Sequence, residues 1–369
     1  MKIVIFGLTI SSAWGNGHAT LWRGLCRYLI MRGHRVVFLE KDAPYYSAHR
    51  DFEGMPGLQL LFYNDFADGT RMGRAHTEDA DVVIVTSYCP QGAEVSAEVL
   101  TSRAGLKVFY DLDTPVTLDK ISRGEPVPYL PNGGFAGFDL VLSYTGGRAL
   151  DELMKFGAKQ AVPLYGSVDP LVHRLVKKGI LRDRADLSYL GTYSEDRQDA
   201  LQRLFIDASR KLPRGKFLLG GSLYPADFPW TKNIFYLKHV APSDHPAFYA
   251  SSVLTLNVTR GPMKAMGWCP SGRLFEAAAC GAPILSDNWE GLGHFFEPGR
   301  EILLAEDTKD AVEAIMMGTR RLARIAQRGK DRVLAEHTAK KRAAELESIL
   351  YDAAASGKNL VEKAWICSA

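Results

Sequence analysis

The sequence predicts an α/β protein made of two Rossmann-like domains in tandem, facing a cleft and followed by C-terminal helices. Three observations lead there. The chain has 369 residues, enough for two domains. Apolar residues make up 46% and charged ones 24%, which excludes a disordered chain and supplies material for buried cores. Short apolar runs also alternate with longer segments of helical period, the pattern of a parallel sheet covered on both faces.

The first run is 2–7 (KIVIFG), and in the stretch after it Leu21, Leu25 and Leu29 recur every fourth residue, as on one helix face. A buried strand fits 2–7 better than a secretory signal, which has a longer apolar stretch and a small-residue cleavage site. Runs at 35–40, 58–63, 81–86, 106–111, 138–143 and 161–165 complete a first domain, 1–168. A charged stretch, 173–184, then marks the boundary. The alternation restarts at 187–191, 216–220, 233–238, 252–257, 282–286 and 301–305, which defines a second domain, 169–335. From about 307 to 354 the chain is rich in Ala, Arg, Lys, Glu and Leu and reads as two long surface helices, of which 336–355 returns to the first domain. The tail, 356–369, gives no functional signal.

Lys and Arg total 45 against 42 Asp and Glu, a surplus of +3 that is too slight to make nucleic acid the main partner. Cys26, Cys89, Cys269, Cys280 and Cys367 contain no C-x-x-C pair, and no histidine cluster beside them has zinc-ligand spacing. The expectation is a reducing, cytoplasmic setting with no structural metal. No stretch approaches the roughly 20 apolar residues of a membrane span.

The loop after the first strand runs from Leu8 to Thr20 and leads into a helix. Gly15 and Gly17, flanking Asn16, let the backbone turn sharply and approach a ligand at the helix N-terminus. A dinucleotide fingerprint needs its glycines directly after the strand and a third where Thr20 stands, so NAD is disfavoured although Glu40 occupies the usual place of a ribose-binding acid. His18 starts the helix. The positive helix end favours a neutral imidazole, which suits a general base, although a histidine here can also simply bond its own loop.

Asp111 and Asp113 close another strand, and acids at i and i+2 of an extended chain point to one side. Three readings are open: a divalent metal site, orientation of His18 or an acceptor hydroxyl, and capping of a helix that begins with Thr114-Pro115.

The richest stretch is 257–297. Ser271 reads as an N-cap with Gly272 and Arg273 in the first turn, so amides, helix dipole and guanidinium converge where a diphosphate can bind without metal. One turn on, Glu276 can accept both protons of a ribose diol. Asp287, Asn288 and Glu290 follow a strand, where Asp287 with Glu290 forms a capping pair, contacts a bound hexose, or does both. Gly191, Thr192 and Tyr193 offer amides to a phosphate, with Ser194 as the cap of the next helix.

Taken together, Trp14-Gly-Asn-Gly-His-Ala-Thr20, Tyr110-Asp-Leu-Asp-Thr-Pro115, Leu190-Gly-Thr-Tyr-Ser194, Asn257-Val-Thr-Arg260 and the stretch from Arg273 to Pro283 resemble glycosyltransferases of the GT-B fold. The resemblance is closest to the family named for the spore-maturation protein CgeB. It implies sugar transfer from a nucleotide donor, with the donor on the second domain at Gly191–Tyr193, Arg260, Ser271–Arg273 and Glu276, and the acceptor on the first. Many retaining members of the wider fold carry a glutamate eight residues before the ribose-binding one. Trp268 stands there, which favours an inverting mechanism with His18 as base and Asp113 beside it.

The expected function is transfer of a sugar from a nucleoside diphosphate, UDP or dTDP ahead of GDP, to an acceptor hydroxyl, with no metal and no cofactor. A nucleotide-sugar epimerase of the same fold and a non-enzymatic nucleotide-sugar-binding protein are the alternatives. Trp14, Tyr45, Tyr46 and Tyr88 either stack on an acceptor or pack within the domain.

Overall fold

The computed structural model describes residues 1–177 and 179–366. Two compact units are present: residues 1–14, 18–165 and from Lys340 on form the first, and 15–17 with 166–339 form the second.

In the first unit the strands are β1 (Lys2–Gly7), β2 (Arg35–Lys41), β3 (Leu58–Tyr63), β4 (Val82–Thr86), β5 (Leu106–Asp111), β6 (Leu140–Ser143) and β7 (Ala161–Pro163). They lie in the order β3-β2-β1-β4-β5-β6-β7, and the paired neighbours run parallel. Each arises from an apolar run because both faces are covered by helices: Ile3, Val4, Ile5, Val83 and Ile84 are fully buried. The helix His18–Met31 seats Trp22 edge-on against Phe38 and Tyr110, with 5.8 Å between ring centroids in each case.

In the second unit the strands are β8 (Ala185–Leu190), β9 (Phe217–Gly220), β10 (Ile234–Leu237), β11 (Ser252–Asn257), β12 (Ile284–Ser286) and β13 (Leu303–Leu304), in the parallel order β10-β9-β8-β11-β12-β13. Leu187, Phe205, Phe217, Leu254 and Leu285 centre its core. In both sheets the chain winds outward in two directions from a central pair, β1 with β4 and β8 with β11, and ligands of such folds bind at the carboxyl ends of strands at this switch point. His18 follows β1, and the segments 191–193 and 258–260 follow β8 and β11.

The C-terminal region forms three helices, Thr308–Ile315, Thr319–Glu336 and Ala339–Ile366, where the sequence suggests two. The last helix runs through residues that read as a tail, and the remainder of that tail, 367–369, lies outside the described residues. Ala343, Leu346, Leu350 and Ala353 form its buried stripe, while Glu347 accepts from Arg32 Nε and pairs with His34 Nε2, each at 2.9 Å. Among the described residues no helix is long and apolar enough to cross a membrane.

Candidate functional site

In the first unit, Glu40 fixes the loop after β1. Its Oε1 accepts from Thr9 Oγ1 at 2.8 Å and Ser11 Oγ at 2.6 Å, and its Oε2 from the amides of Ile10 at 2.8 Å and Ser11 at 3.0 Å. This acid, at the usual ribose-binding place of dinucleotide enzymes, is therefore occupied within the chain. Gly15 turns the loop with φ +67°, in the left-handed region, and Trp14 stacks on His49 at 4.1 Å. Tyr45 packs edge-on against Tyr46 at 5.1 Å.

His18 is the first residue of its helix, and its Nε2 lies 3.1 Å from Asp113 Oδ2. The side chains are only 13% and 15% exposed, so the pair is shielded from screening by water. Asp113 stands at the N-cap of the helix Thr114–Ser122 but makes no side-chain cap bond. The capping reading is thus corrected: proline in the first turn removes one amide that would need a cap, and the carboxylate turns to His18 instead. Tyr88 lies edge-on to the His18 ring at 6.1 Å.

Asp111 does not join Asp113 around a common point. Its Oδ1 accepts the Asp113 amide at 3.1 Å, Oδ2 is enclosed, and the hydroxyls of Thr117 and Ser87 lie beside the carboxyl. Burial pushes this carboxyl up to about 7, and the nearby Asp113 charge adds to the shift.

In the second unit, Ser271 is the N-cap of the helix Gly272–Ala279, and its hydroxyl accepts from the Arg273 amide at 3.3 Å. Arg273 Nη1 is enclosed and has no hydrogen-bond partner among the described residues. Glu276, one turn further, is 7% exposed. Burial opposes its ionisation, but the neighbouring His173, His245 and Arg273 override that cost and hold the carboxyl well below the usual carboxylate range. His173 is itself pushed down to about 4, chiefly by burial, so near neutrality the charge facing Glu276 comes from Arg273 rather than from that imidazole. The two histidines escape sequence reasoning because they stand singly, 72 positions apart, and only the fold brings them to Glu276.

Other second-unit candidates are placed differently from expectation. The amides of Gly191 and Tyr193 donate to the carbonyls of Gly220 and Ser222, each at 2.9 Å, so they are not open to a phosphate. Gly221 makes this pairing possible, since at φ +146° a Cβ there would collide with the Gly191 carbonyl oxygen. Thr192 contributes its carbonyl to Arg197 Nη1 at 3.1 Å. Ser194 makes no cap bond either, its hydroxyl donating to Asp196 Oδ1 at 2.6 Å.

Arg260 pairs through Nε with Asp196 at 2.9 Å. Asp287 is 2% exposed, and its Oδ1 accepts from the amide of Thr259 at 3.0 Å and the hydroxyl at 2.9 Å, which locks the end of β12 to the segment after β11. It caps no helix with Glu290, because the helix Leu292–Phe295 has Gly291 as its N-cap. Asn288 and Glu290 are exposed. Trp268, at φ +50°, donates its amide to the Glu290 carbonyl at 2.7 Å and lays its ring where a Cβ on Gly291 would stand.

Comparison with known proteins bears on this arrangement. Residues 197–348 match the family model described as "Glycosyl transferase-like". No curated protein matches the sequence. Sucrose-phosphate synthase from Thermosynechococcus elongatus superposes with a TM-score of 0.74 at 12% identity, over 96% of this chain and 100% of that one. HepE of Anabaena, solved with UDP and glucose, gives 0.67 at 14% identity, over 95% and 99%. An α-glucosyltransferase solved with UDP gives 0.67 at 12% identity, over 95% and 100%. The fold is that of the GT-B glycosyltransferase structures, and residues 197–348 are similar to the "Glycosyl transferase-like" family.

Proposed function

We propose that the chain transfers a sugar from a nucleoside diphosphate donor to an acceptor hydroxyl, with UDP or dTDP favoured as the carrier. The carrying observation is the enclosed, unpartnered Nη1 of Arg273 at the N-terminus of the helix Gly272–Ala279, one turn before an ionised and buried Glu276. A diphosphate supplies the acceptor oxygens that this guanidinium lacks, and the helix dipole adds to the attraction. A ribose supplies hydroxyl donors to Glu276. The fold neighbours crystallised with UDP support the choice of carrier.

His18 acts as the base in this reading. The Asp113 carboxylate, 3.1 Å from Nε2, orients the ring, and the imidazole takes the proton that leaves the acceptor hydroxyl as its oxygen attacks the anomeric carbon with inversion. Arg273 stabilises the departing diphosphate, so the reaction needs neither metal nor cofactor. The finer likeness to the CgeB family belongs to this proposal. So does a reducing, cytoplasmic setting, which suits the free and buried Cys26, Cys89, Cys269 and Cys280.

Isothermal titration with UDP, dTDP and GDP tests the reading. Binding that falls sharply in Glu276→Ala supports it, and no binding of any of the three to the wild type overturns it. A panel of nucleotide sugars, supplied without acceptor, then separates slow donor hydrolysis from the new sugar nucleotide that an epimerase would release.

A further inference from the structure

The carboxylate of Glu276 is flanked on one side by two imidazoles that no sequence motif identifies. His173 lies in the segment after β7, and His245 begins the helix His245–Ala250. His245 Nδ1 is 3.3 Å from Glu276 Oε2 and 3.2 Å from His173 Nε2, while His173 Nε2 is 3.9 Å from Glu276 Oε1. Oε2 is the enclosed oxygen, and the side chain as a whole keeps 10% of its surface exposed.

Two tautomers of this trio differ in cost. If His173 Nε2 carries the proton and donates to His245 Nδ1, the enclosed Oε2 of an ionised carboxylate faces a lone pair. If His245 Nδ1 carries it, one N–H lies between two acceptors, Oε2 and His173 Nε2, and the only group left unserved is the neutral Nδ1–H of His173, which is enclosed without a partner. An unsatisfied charge in a buried place costs more than an unsatisfied neutral N–H, so the second arrangement is preferred.

We infer that His173 and His245 are positioning residues that hold the enclosed oxygen of Glu276, so that its other oxygen meets the ribose hydroxyls of the donor. The inference rests on the reading above, in which Glu276 carries the ribose. It narrows that reading to a specificity: the site selects ribose over 2′-deoxyribose, and therefore UDP over dTDP, because a correctly turned carboxylate accepts from both hydroxyls.

Two imidazoles and a carboxylate are also zinc ligands, and these are the one such trio among the described residues. The geometry favours hydrogen bonding. Tetrahedral zinc, with bonds of about 2.0–2.1 Å, needs ligand separations of roughly 3.3–3.4 Å, and the His173–Glu276 edge is 3.9 Å. The positive charge of Arg273 also acts on both His173 and Glu276, which opposes a dication there. Asp169, Tyr249 and Cys280 are the remaining titratable groups that face the trio.

The test is the ratio of UDP to 2′-deoxy-UDP affinity, measured by titration calorimetry on the full chain. Wild type should prefer UDP by about tenfold, the loss expected when one of two hydrogen bonds to a charged group is removed. In His245→Leu the preference should vanish while 2′-deoxy-UDP affinity holds. In His245→Asn it should return, since the amide nitrogen sits where Nδ1 did, and His173→Gln should likewise retain it through its side-chain oxygen. Wild type that binds neither nucleotide removes the functional reading and this inference with it. A wild-type preference that persists unchanged in His245→Leu, or equal weakening of both nucleotides, overturns this inference alone. Should His245→Leu fail to fold, His245→Asn and His173→Leu carry the comparison. One equivalent of zinc in purified wild type, lost in either variant, would overturn the hydrogen-bonded arrangement.

Discussion

His18 Nε2 and Asp113 Oδ2 stand 3.1 Å apart, joining the first residue of one helix to the residue that precedes another. A lone histidine at a helix start has no fixed tautomer, and this carboxylate supplies one. His18→Ala should lower kcat by about 10²–10⁴-fold, the usual worth of a positioned base, with UDP affinity nearly unchanged. Asp113→Asn should cost less, because the imidazole remains. Steady-state release of UDP in the presence of acceptor reads both effects, and full activity in His18→Ala would remove the base from the mechanism.

Arg273 should matter to phosphate more than to nucleoside. Its enclosed Nη1 finds no partner within the described chain, so Arg273→Ala should weaken UDP by about 1.5–3 kcal/mol, the worth of a hydrogen bond to a charged group, and leave uridine almost as before. Arg273→Lys should recover only part, because a point charge lacks the guanidinium fork. Competitive titration of UDP against uridine checks this, and equal losses for the two would place the diphosphate elsewhere.

Asp111 gives a stability signature with a defined sign. Its carboxyl is raised from 3.8 to about 7 by burial, so the folded chain holds this proton more tightly than the unfolded chain does. The associated stability is complete below the unfolded value and drains away as pH climbs through the folded one. Asp111→Asn cannot ionise, so it should match wild type near about pH 4 and exceed it by about 1–4 kcal/mol near about pH 8, since each tenfold difference in proton affinity between the two states is worth about 1.36 kcal/mol. Urea denaturation at both pH values decides, and a gain that does not depend on pH would contradict the assignment.

Glu40 should be intolerant of change. Four donors from residues 9–11 converge on its two oxygens, two of them backbone amides. Glu40→Ala strands these buried donors and should cost about 3–5 kcal/mol, the range for breaking a buried charged network. Glu40→Gln should fall between, since an amide nitrogen cannot accept. Thermal melts give the order, and hydrogen exchange should locate the loosening at residues 9–14.

Much of the fold is legible in the sequence because runs such as 2–7 or 82–86 must bury both faces of a central parallel strand and therefore have no polar alternation. Ser271 is legible as well, since a cap acts within three residues of itself. What depends on distant partners is not. Asp113 reads equally as a cap, a metal ligand or a partner of His18, and only the fold sets its carboxylate beside that histidine, 95 positions away. The Gly191 and Tyr193 amides read as open until strand β9 and the residues after it are in place to accept them. His173 and His245 carry no local signature at all.

From Lys340 on, the last helix belongs to the same unit as β1 through β7, although the 174 residues of 166–339, in the other unit, are made before that part of it. A nascent chain emerging from the ribosome therefore exposes the flank of its first sheet, including Arg32 and His34, until Glu347 has been synthesised. The second unit can collapse while translation continues, whereas the earliest-made one is completed last. A stop codon placed before residue 340 would thus leave its damage at the amino-terminal half of the molecule rather than near the cut.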